Sequence, residues 1–264
     1  MSAWFVDWFN SPYYHLLYNH RNDEEAAVFI DGLLKWLHLP QQAQLWDIAC
    51  GKGRHAAAMH KHGYRVVGSD LSVNSIAAAR EEQHSGLEFV VHDMRQPLPN
   101  KSFDAAFNLF TSIGYFENPA DNVRVFDAVS KSVKPEGYFV VDFFNPYRVS
   151  NCQGDAYVEQ RGAIDFHIKK KADGKVITKQ IQFEDGGHHY SFQEVVTLLN
   201  ENDFDDFAMQ TGFERVAVFG NYKLEPYQPL HSDRLILCYR KVKWTIFWPC
   251  SPWVPLYWLP DLWL

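Results

Sequence analysis

The sequence has little cysteine, and none of it is clustered. Its four cysteines are Cys50, Cys152, Cys238 and Cys250, and no C-x-x-C pair occurs. A zinc knuckle or a disulfide framework would need regularly spaced thiols, so neither kind of site is indicated. Reduced thiols in the cytoplasm are the simplest interpretation.

Basic residues are also fewer than acidic residues. The chain has 25 Lys and Arg against 32 Asp and Glu, which gives a formal net charge of −7. Long nucleic acids are bound through clustered Lys and Arg, so we expect no such partner. The N-terminal residues 1–10 lack a basic region and carry Asp7, which is atypical of a signal peptide.

An uninterrupted apolar helix of membrane-spanning length is missing as well. Only the tail, residues 244–264, is apolar enough, with Asp261 as its single charge. Pro249, Pro252 and Pro255 would break the helix that a span requires, so we predict no transmembrane span. Membrane-surface contact, an oligomer contact and a non-native extension remain alternatives for this tail, and the oligomeric state is not predicted.

The rest of the chain is typical of one α/β domain. With 264 residues and 47% hydrophobic content it can bury a large core. Strands alternate with helices over about a hundred residues, which predicts a doubly wound parallel sheet. We predict one domain over residues 1–243 in four parts. They are an N-terminal helical cover (1–40), a ligand-binding core (44–147), a β-hairpin insertion (148–190) and the completion of the sheet (191–241).

The stretch Leu45–Ala56 predicts a strand, a glycine turn and the start of a helix. Gly51 and Gly53 let the backbone turn sharply and approach a ligand closely. The spacing Gly51-x-Gly53-x-x-Ala56 also fits the dinucleotide fingerprint. Asp47 changes this interpretation, because a carboxylate before the turn would repel a pyrophosphate and attract an ammonium group. The pattern suggests a nucleoside that carries an amino acid.

Further polar residues follow the next predicted strands. Asp70 ends strand two, nineteen positions after Gly51, close to the spacing at which an acid binds ribose hydroxyls. Asp93-Met94 follows strand three, predicted over Leu87–Val91, and Asn108-Leu109 lies at the end of strand four. Ligands bind at the carboxyl ends of parallel strands, so we expect these residues to share one site.

Three motifs resemble those of class I S-adenosylmethionine-dependent methyltransferases. They are D-I-A-C-G-K-G (47–53), V-V-G-S-D-L-S (66–72) and V-H-D-M (91–94), and the resemblance runs from about Tyr13 to Lys241. It implies a Rossmann-like seven-stranded sheet with a C-terminal antiparallel strand and a β-rich insertion after strand five. It also implies S-adenosyl-L-methionine as cofactor, S-adenosyl-L-homocysteine as product, and a small or medium-sized N, O or C acceptor.

The resemblance also suggests roles for individual residues. Asp47 would lie near the ammonium, Asp70 would bind ribose, and Asp93 and Met94 would bind adenine. An aromatic residue and a basic residue before the first strand would lie beside the cofactor and at its carboxylate. The predicted cofactor-binding residues are Tyr14, Arg21, Asp47, Cys50, Gly51, Gly53, Asp70, Leu71, Asp93, Met94, Asn108 and Leu109.

The second half of the chain is richer in β pattern. The insertion reads as two β-rich runs, 156–171 and 175–184, joined by a hairpin turn, with a helix expected over Ser191–Leu199. The segment Asp185–Tyr190, between the second run and this helix, would carry His189 over the cleft. His189 and Tyr115 are candidates for a general base, though no catalytic residue is assigned. Adjacent histidines without a third spaced ligand do not indicate a metal, so none is predicted.

Two other functions remain open from the sequence. An NAD-dependent oxidoreductase would explain Gly51, Gly53 and Asp70, but not Asp47 or Asp93-Met94. A catalytically silent methyltransferase-like binding protein would keep the cofactor as a structural ligand. The sequence does not predict the methyl acceptor, because acceptors contact the loops and insertions that vary most between such enzymes.

Overall fold

A computed structural model describes residues 4–18, 23–150 and 153–243. Three helices come first: α1 (Trp4–Phe9), α2 (Pro12–Tyr18) and α3 (Asp23–Leu37). The core then alternates as β1 (Gln44–Ile48), α4 (Arg54–Lys61), β2 (Arg65–Asp70), α5 (Val73–Ala79), β3 (Leu87–Val91), β4 (Phe103–Asn108), α6 (Ala120–Ser132), β5 (Val133–Phe144) and the short α7 (Pro146–Val149). The insertion and the end of the fold follow as β6 (Gln153–Arg161), β7 (Ile164–Ala172), β8 (Val176–Asp185), β9 (His188–Thr197), α8 (Glu201–Gln210), β10 (Phe213–Phe219) and β11 (Arg234–Lys241).

Seven strands form the main sheet, in the order β3-β2-β1-β4-β5-β11-β10. The first five run parallel, and β11 is antiparallel to both of its neighbours. This confirms the predicted doubly wound sheet with a reversed strand near the C-terminus. Because the order reverses between β1 and β4, the crevice for a ligand lies at their carboxyl ends.

Helices cover both faces of this sheet because their apolar side chains recur at helical spacing. On one face, α3 and α4 pack through residues such as Phe29, Leu33 and Met59. On the other, α6 and α8 pack through Phe126 and Phe204. The two layers keep the strands buried and hold their carboxyl ends in fixed positions.

The insertion is a separate four-stranded antiparallel sheet in the order β6-β7-β8-β9. The run predicted as one β-rich segment, 156–171, turns at Gly162 (φ 58°) and supplies two strands. The helix predicted over Ser191–Leu199 is wrong, because β9 occupies His188–Thr197 and pairs with β8 along its whole length. The insertion sheet therefore passes the predicted boundary at residue 190.

The N-terminal helices divide between the two sheets. Helix α3 covers the main sheet, whereas α1 and α2 pack against the insertion. Their Trp8 and Leu17 share a third apolar core with Phe166, Ile181 and Phe183. No helix within the described ranges is both long and apolar enough to cross a membrane. The predictions for the tail, 244–264, lie outside the described residues.

Candidate active site

A cavity of about 780 Å³ lies at the carboxyl ends of β1, β2, β3 and β4. The glycine turn after β1 and the loops after β2, β3 and β4 form one wall, which we call the core wall. Helices α1 and α2 and the insertion sheet form the opposite wall, which we call the insertion wall. A volume of this size is typical of a site for a small molecule or cofactor.

The two glycines of the turn have different structural roles. Gly51 has φ 56° and lines the cavity, and a Cβ there would meet no protein atom within 4 Å. Gly53 has φ 84°, and its Cβ would lie 2.4 Å from the Phe89 ring. Gly53 therefore lets the start of α4 approach β3, while Gly51 leaves bare backbone beside the open cavity.

Asp70 joins the glycine turn to the end of β2. One carboxylate oxygen accepts a hydrogen bond from the Gly51 N–H at 2.8 Å, and the other accepts one from the Ser72 N–H at 2.8 Å. Burial raises the pKa of Asp70, and these backbone hydrogen bonds oppose the rise. Asp70 lines the cavity and fixes the turn at the same time.

Asp47 and Arg54 each have one buried polar atom, an acceptor oxygen in Asp47 and a donor nitrogen in Arg54. Asp47 Oδ2 and Arg54 Nη1 have no hydrogen-bond partner among the described residues. Asp47 is only 1% exposed, and burial raises its pKa to about 7 even though the Ala56 N–H and Arg54 favour the charged form. The unpartnered Asp47 oxygen and the unpartnered Arg54 nitrogen are complementary to a ligand with both an ammonium and a carboxylate.

Asp93 and Met94 reach the cavity after β3, but Asp93 already has a partner. The Arg95 guanidinium donates to both Asp93 oxygens, at 2.6–3.1 Å, and its Nη1 donates to Asp121 at 2.8 Å. Partial burial would raise the pKa of Asp93, but the hydrogen bonds from Arg95 outweigh it and hold the pKa below its usual value. A ligand amino group at Asp93 would therefore share the carboxylate with Arg95.

Most of the residues predicted from the motifs meet in this cavity. Those that line it are Tyr14, Cys50, Gly51, Asp70, Leu71, Asp93, Met94, Leu109 and Tyr115. Asp47, Gly53 and the fully buried Asn108 lie behind the lining. Arg21 lies outside the described residues. Binding roles for this set remain predictions.

His189 is not in the cavity. It stands beside the turn between β8 and β9, its side chain is 84% exposed, and its Nδ1 lies 3.1 Å from the Glu184 carboxylate. The expected loop over the cleft is a tight hairpin, so this candidate for a general base is wrong. Tyr115 does line the cavity, and its hydroxyl donates to the Thr111 carbonyl at 2.6 Å.

A buried ion pair that the motifs did not reveal lies behind the loop after β4. Arg234 Nε donates to Asp142 Oδ1 at 2.8 Å, and Arg234 Nη2 donates to Thr111 Oγ1 at 3.1 Å. Asp142 Oδ2 accepts from the Phe110 N–H at 2.8 Å and from the Tyr222 hydroxyl at 3.3 Å. The Asp142 carboxylate is 1% exposed, so Arg234 supplies the counter-charge of a buried anion.

This ion pair holds an unusual backbone conformation. Phe110 and Thr111 have φ values of 66° and 60°, which bulky and β-branched residues rarely adopt. Asp142 accepts the Phe110 N–H, and its own carbonyl accepts the Thr111 N–H at 2.8 Å. The surrounding hydrogen bonds thus offset a local strain of about 1–3 kcal/mol per residue. A charged residue in the apolar run F-V-V-D-F-F was the available sequence signal.

Two histidines that the motifs did not single out also line the cavity. Burial lowers the pKa of His15 to about 4, helped by nearby Lys52, and lowers that of His55 to about 3. Both rings are therefore neutral at pH 7. Within the described ranges, no group of three or more His, Cys, Asp or Glu is arranged to hold a metal ion.

Similarities to known proteins agree with this geometry. A family model described as a methyltransferase domain matches residues 46–141. A putative methyltransferase of Bacillus subtilis (strain 168), YqeM, is 28% identical over 131 residues, which cover 48% of this chain and 53% of the relative, about half its length. The dTDP-3-amino-3,4,6-trideoxy-alpha-D-glucopyranose N,N-dimethyltransferase of Streptomyces venezuelae is 24% identical over 73% of this chain and 84% of that protein.

The fold has solved counterparts. An S-adenosylmethionine-dependent methyltransferase from Clostridium acetobutylicum ATCC 824 superposes with a TM-score of 0.74 at 18% identity, over 88% of this chain and 96% of that one. A likeness at this identity establishes the fold alone. The matched stretch 46–141 and the strand order both correspond to the Rossmann-like sheet of S-adenosylmethionine-dependent methyltransferases, to which the chain is similar.

S-adenosylmethionine is the cofactor of the methyltransferases that the chain resembles, and the residues present fit it. The open space at Gly51 leaves room for a ligand against bare backbone. The unpartnered atoms of Asp47 and Arg54 match the two charges of a methionine end. Asp70 and Asp93 are the acceptors available for a ribose and an adenine.

Proposed function

We propose that the protein transfers a methyl group from S-adenosylmethionine to a small or medium-sized acceptor, and that an amine is the favoured nucleophile. The unpartnered Asp47 and Arg54 atoms beneath the glycine turn carry the first part of this proposal, because a dinucleotide phosphate would not satisfy the carboxylate. The similarity to an amino-sugar N,N-dimethyltransferase supports the second part.

The bound cofactor would supply an electrophilic methyl group on a sulfonium. The core wall would hold the ligand through Asp70 and the backbone at Gly51, and Asp47 would orient its amino-acid end. Phe9, Tyr14 and Tyr115 line the cavity, and the Phe9 ring contacts both tyrosine rings, with centroids 4.9 Å from Tyr14 and 5.4 Å from Tyr115. These rings would exclude water and so raise the contribution of positioning to the rate.

A general base is not required for an amine that arrives neutral. Tyr115 is the remaining candidate of the two predicted, and its hydroxyl proton is directed at the Thr111 carbonyl. Neutral His15 is a second acceptor at the cavity, with its Nε2 3.4 Å from the Ser75 hydroxyl. Both groups are candidates for the base that an acceptor in need of deprotonation would require.

Calorimetric titration with S-adenosylhomocysteine and with NAD tests the cofactor, and turnover on a panel of amines, alcohols and carbon acids tests the reaction. We expect saturable binding of S-adenosylhomocysteine only, and methyl transfer to amines before the other classes. Saturable NAD binding would favour the oxidoreductase alternative. Tight S-adenosylhomocysteine binding without turnover on any acceptor would favour the catalytically silent binding protein.

A further inference from the structure

One row of charged side chains on the insertion sheet faces the cavity, and the proposed reaction with the cofactor does not use it. Lys170 of β7 lies opposite Lys179 of β8, and Lys179 lies opposite Glu194 of β9. All three residues line the cavity. The row reads positive, positive, negative across three adjacent strands.

The two lysines form a like-charge pair within the sheet. Directly opposite residues on one face have Cβ atoms roughly 4.5–5.5 Å apart, and like charges at such positions are destabilising. The other face of β7 avoids this arrangement, since Lys169 lies opposite Gln180 and Lys171 lies opposite Thr178. The unfavourable pair thus occurs on the face that meets the cavity.

Only one of the two lysines has a carboxylate partner. Lys179 is 13% exposed, lies 3.8 Å from the Glu194 carboxylate and hydrogen-bonds to the Tyr18 hydroxyl. Glu194 is shared further, because its Oε1 accepts from Trp8 Nε1 and from the Tyr18 hydroxyl, each at 2.7 Å. One carboxylate therefore serves two neutral donors and one lysine.

Lys170 has no ion pair within the described part of the chain. Its ammonium group lies 5.2 Å from the centre of the Tyr157 ring, which orients it along the cavity surface. Glu159 also lines the cavity, but it pairs with Arg161. Asp155 lies in the irregular part of β6 near Lys170 and forms no ion pair with it. Among the described charged side chains of the insertion sheet that line the cavity, Lys170 is therefore the one without an ion pair.

We infer that Lys170 and Lys179 form an anion-binding subsite for the acceptor, so that the substrate carries a phosphate or carboxylate group besides the methylated nucleophile. An anion in the cavity would contact the Lys170 ammonium group, which has no ion pair among the described residues, and would offset its repulsion with Lys179. This inference rests on the proposed function for the identity of the substrate, but the anion site itself does not depend on methyl transfer.

Anion titrations on three variants test this subsite. Inorganic diphosphate and malonate are titrated by calorimetry into wild type, Lys170→Met, Lys170→Arg and the opposite-face control Lys169→Met, each with S-adenosylhomocysteine present to occupy the glycine turn. We expect wild type and Lys169→Met to bind equally, Lys170→Met to bind about tenfold more weakly, and Lys170→Arg to recover most of the affinity. The preferred probe distinguishes a phosphate from a carboxylate acceptor.

Thermal unfolding gives a second readout. Without an anion, Lys170→Met should have a slightly higher Tm than wild type, because the like-charge pair is gone. With diphosphate or malonate, the Tm of wild type and of Lys169→Met should rise by more than that of Lys170→Met. A variant that fails to fold would be seen directly in the same scans, and Lys170→Gln would then replace Lys170→Met in the comparison with Lys169→Met.

Three outcomes would overturn the subsite. They are no binding of either anion to wild type, equal loss in Lys170→Met and Lys169→Met, and loss only in a Lys52→Met variant, which would locate the anion at the glycine turn. The proposed function fails separately, if S-adenosylhomocysteine does not bind. In that case the same anion titrations are run without it and still report on Lys170.

Discussion

The two walls of the cavity hold their charged groups in different ways. On the core wall, Asp70 and Asp142 are bonded to backbone N–H groups, and Asp47 is enclosed beneath the glycine turn. On the insertion wall, Lys179 and Glu194 contact other side chains and lie at the cavity surface. Core-wall charges therefore fix the shape of the backbone, while insertion-wall charges can change without altering it. The core wall is therefore suited to a ligand that is always the same, such as a cofactor, and the insertion wall to an acceptor that differs between proteins.

The largest expected effect is a difference in stability between a variant of the core wall and a variant of the insertion wall. Arg234→Met leaves the buried Asp142 carboxylate without its counter-charge, so the free energy of unfolding should fall by about 3–5 kcal/mol. Lys179→Met removes a partly exposed partner from Glu194, but Glu194 keeps two neutral donors. This variant should lower the free energy of unfolding by about 1 kcal/mol. Urea unfolding of both variants measures the difference.

A surface ion pair serves as the control for that comparison. Arg240 pairs with Glu136 at 41% and 37% exposure, so Arg240→Met should change the free energy of unfolding by less than about 1 kcal/mol. Equal losses in the Arg234 and Lys179 variants would show that the two walls do not differ as described.

The second expected effect separates the walls by cofactor affinity. Asp70→Ala removes a carboxylate available to a ribose and also releases the Gly51 N–H. Binding of S-adenosylhomocysteine should weaken by about 1.5–3 kcal/mol, roughly tenfold to a hundredfold. Glu159→Ala, on the insertion wall, should leave that affinity unchanged. Calorimetry on folded variants decides, and an unaltered affinity in Asp70→Ala would remove Asp70 from the cofactor site.

The third expected effect concerns pH and Asp47. Burial raises its pKa from 3.8 to about 7, and only the ionised carboxylate attracts a ligand ammonium group. Affinity for S-adenosylhomocysteine should therefore fall as the pH drops through 7. Asp47→Asn should bind more weakly at pH 8 and lose that pH dependence. An analogue without the amino group should bind both proteins alike, and neither protein should bind NAD.

The same pKa shift has the opposite effect on stability. The folded state binds the Asp47 proton more tightly than the unfolded state, so this residue contributes stability below pH 3.8 that is lost as the pH rises through about 7. Asp47→Asn should consequently be more stable than the free wild type at pH 8, although it binds the cofactor less well. A variant that is both less stable and unchanged in binding would make Asp47 a purely structural residue of the turn.

Local signals were enough to predict the core wall. The strand Leu87–Val91 has the bounds expected from its apolar run, and the glycine spacing predicted the turn whose Gly51 N–H donates to Asp70. These features depend on neighbours within a few residues. Most of the motif residues consequently meet in the cavity, although their binding roles remain predictions.

The insertion wall and the buried ion pair depend on distant partners. Arg234 and Asp142 are 92 positions apart, and no spacing rule connects them. The segment Ser191–Leu199 has apolar residues that suit a helix, but in the fold it pairs with β8 and buries Val196 against the rest of the structure. Tertiary pairing overrode local propensity there. The lysine pair could not be predicted for the same reason, because the two lysines become neighbours only when β7 and β8 pair.

The position of Arg234 has a consequence for synthesis of the chain on the ribosome. The strained turn at Phe110 and Thr111 is held by a residue of β11, which pairs with β5. A nascent chain without β11 would expose β5 as an open edge and leave Asp142 without its counter-charge. The cleft therefore reaches its final shape only after residue 234 has emerged from the ribosome and β11 has joined the sheet.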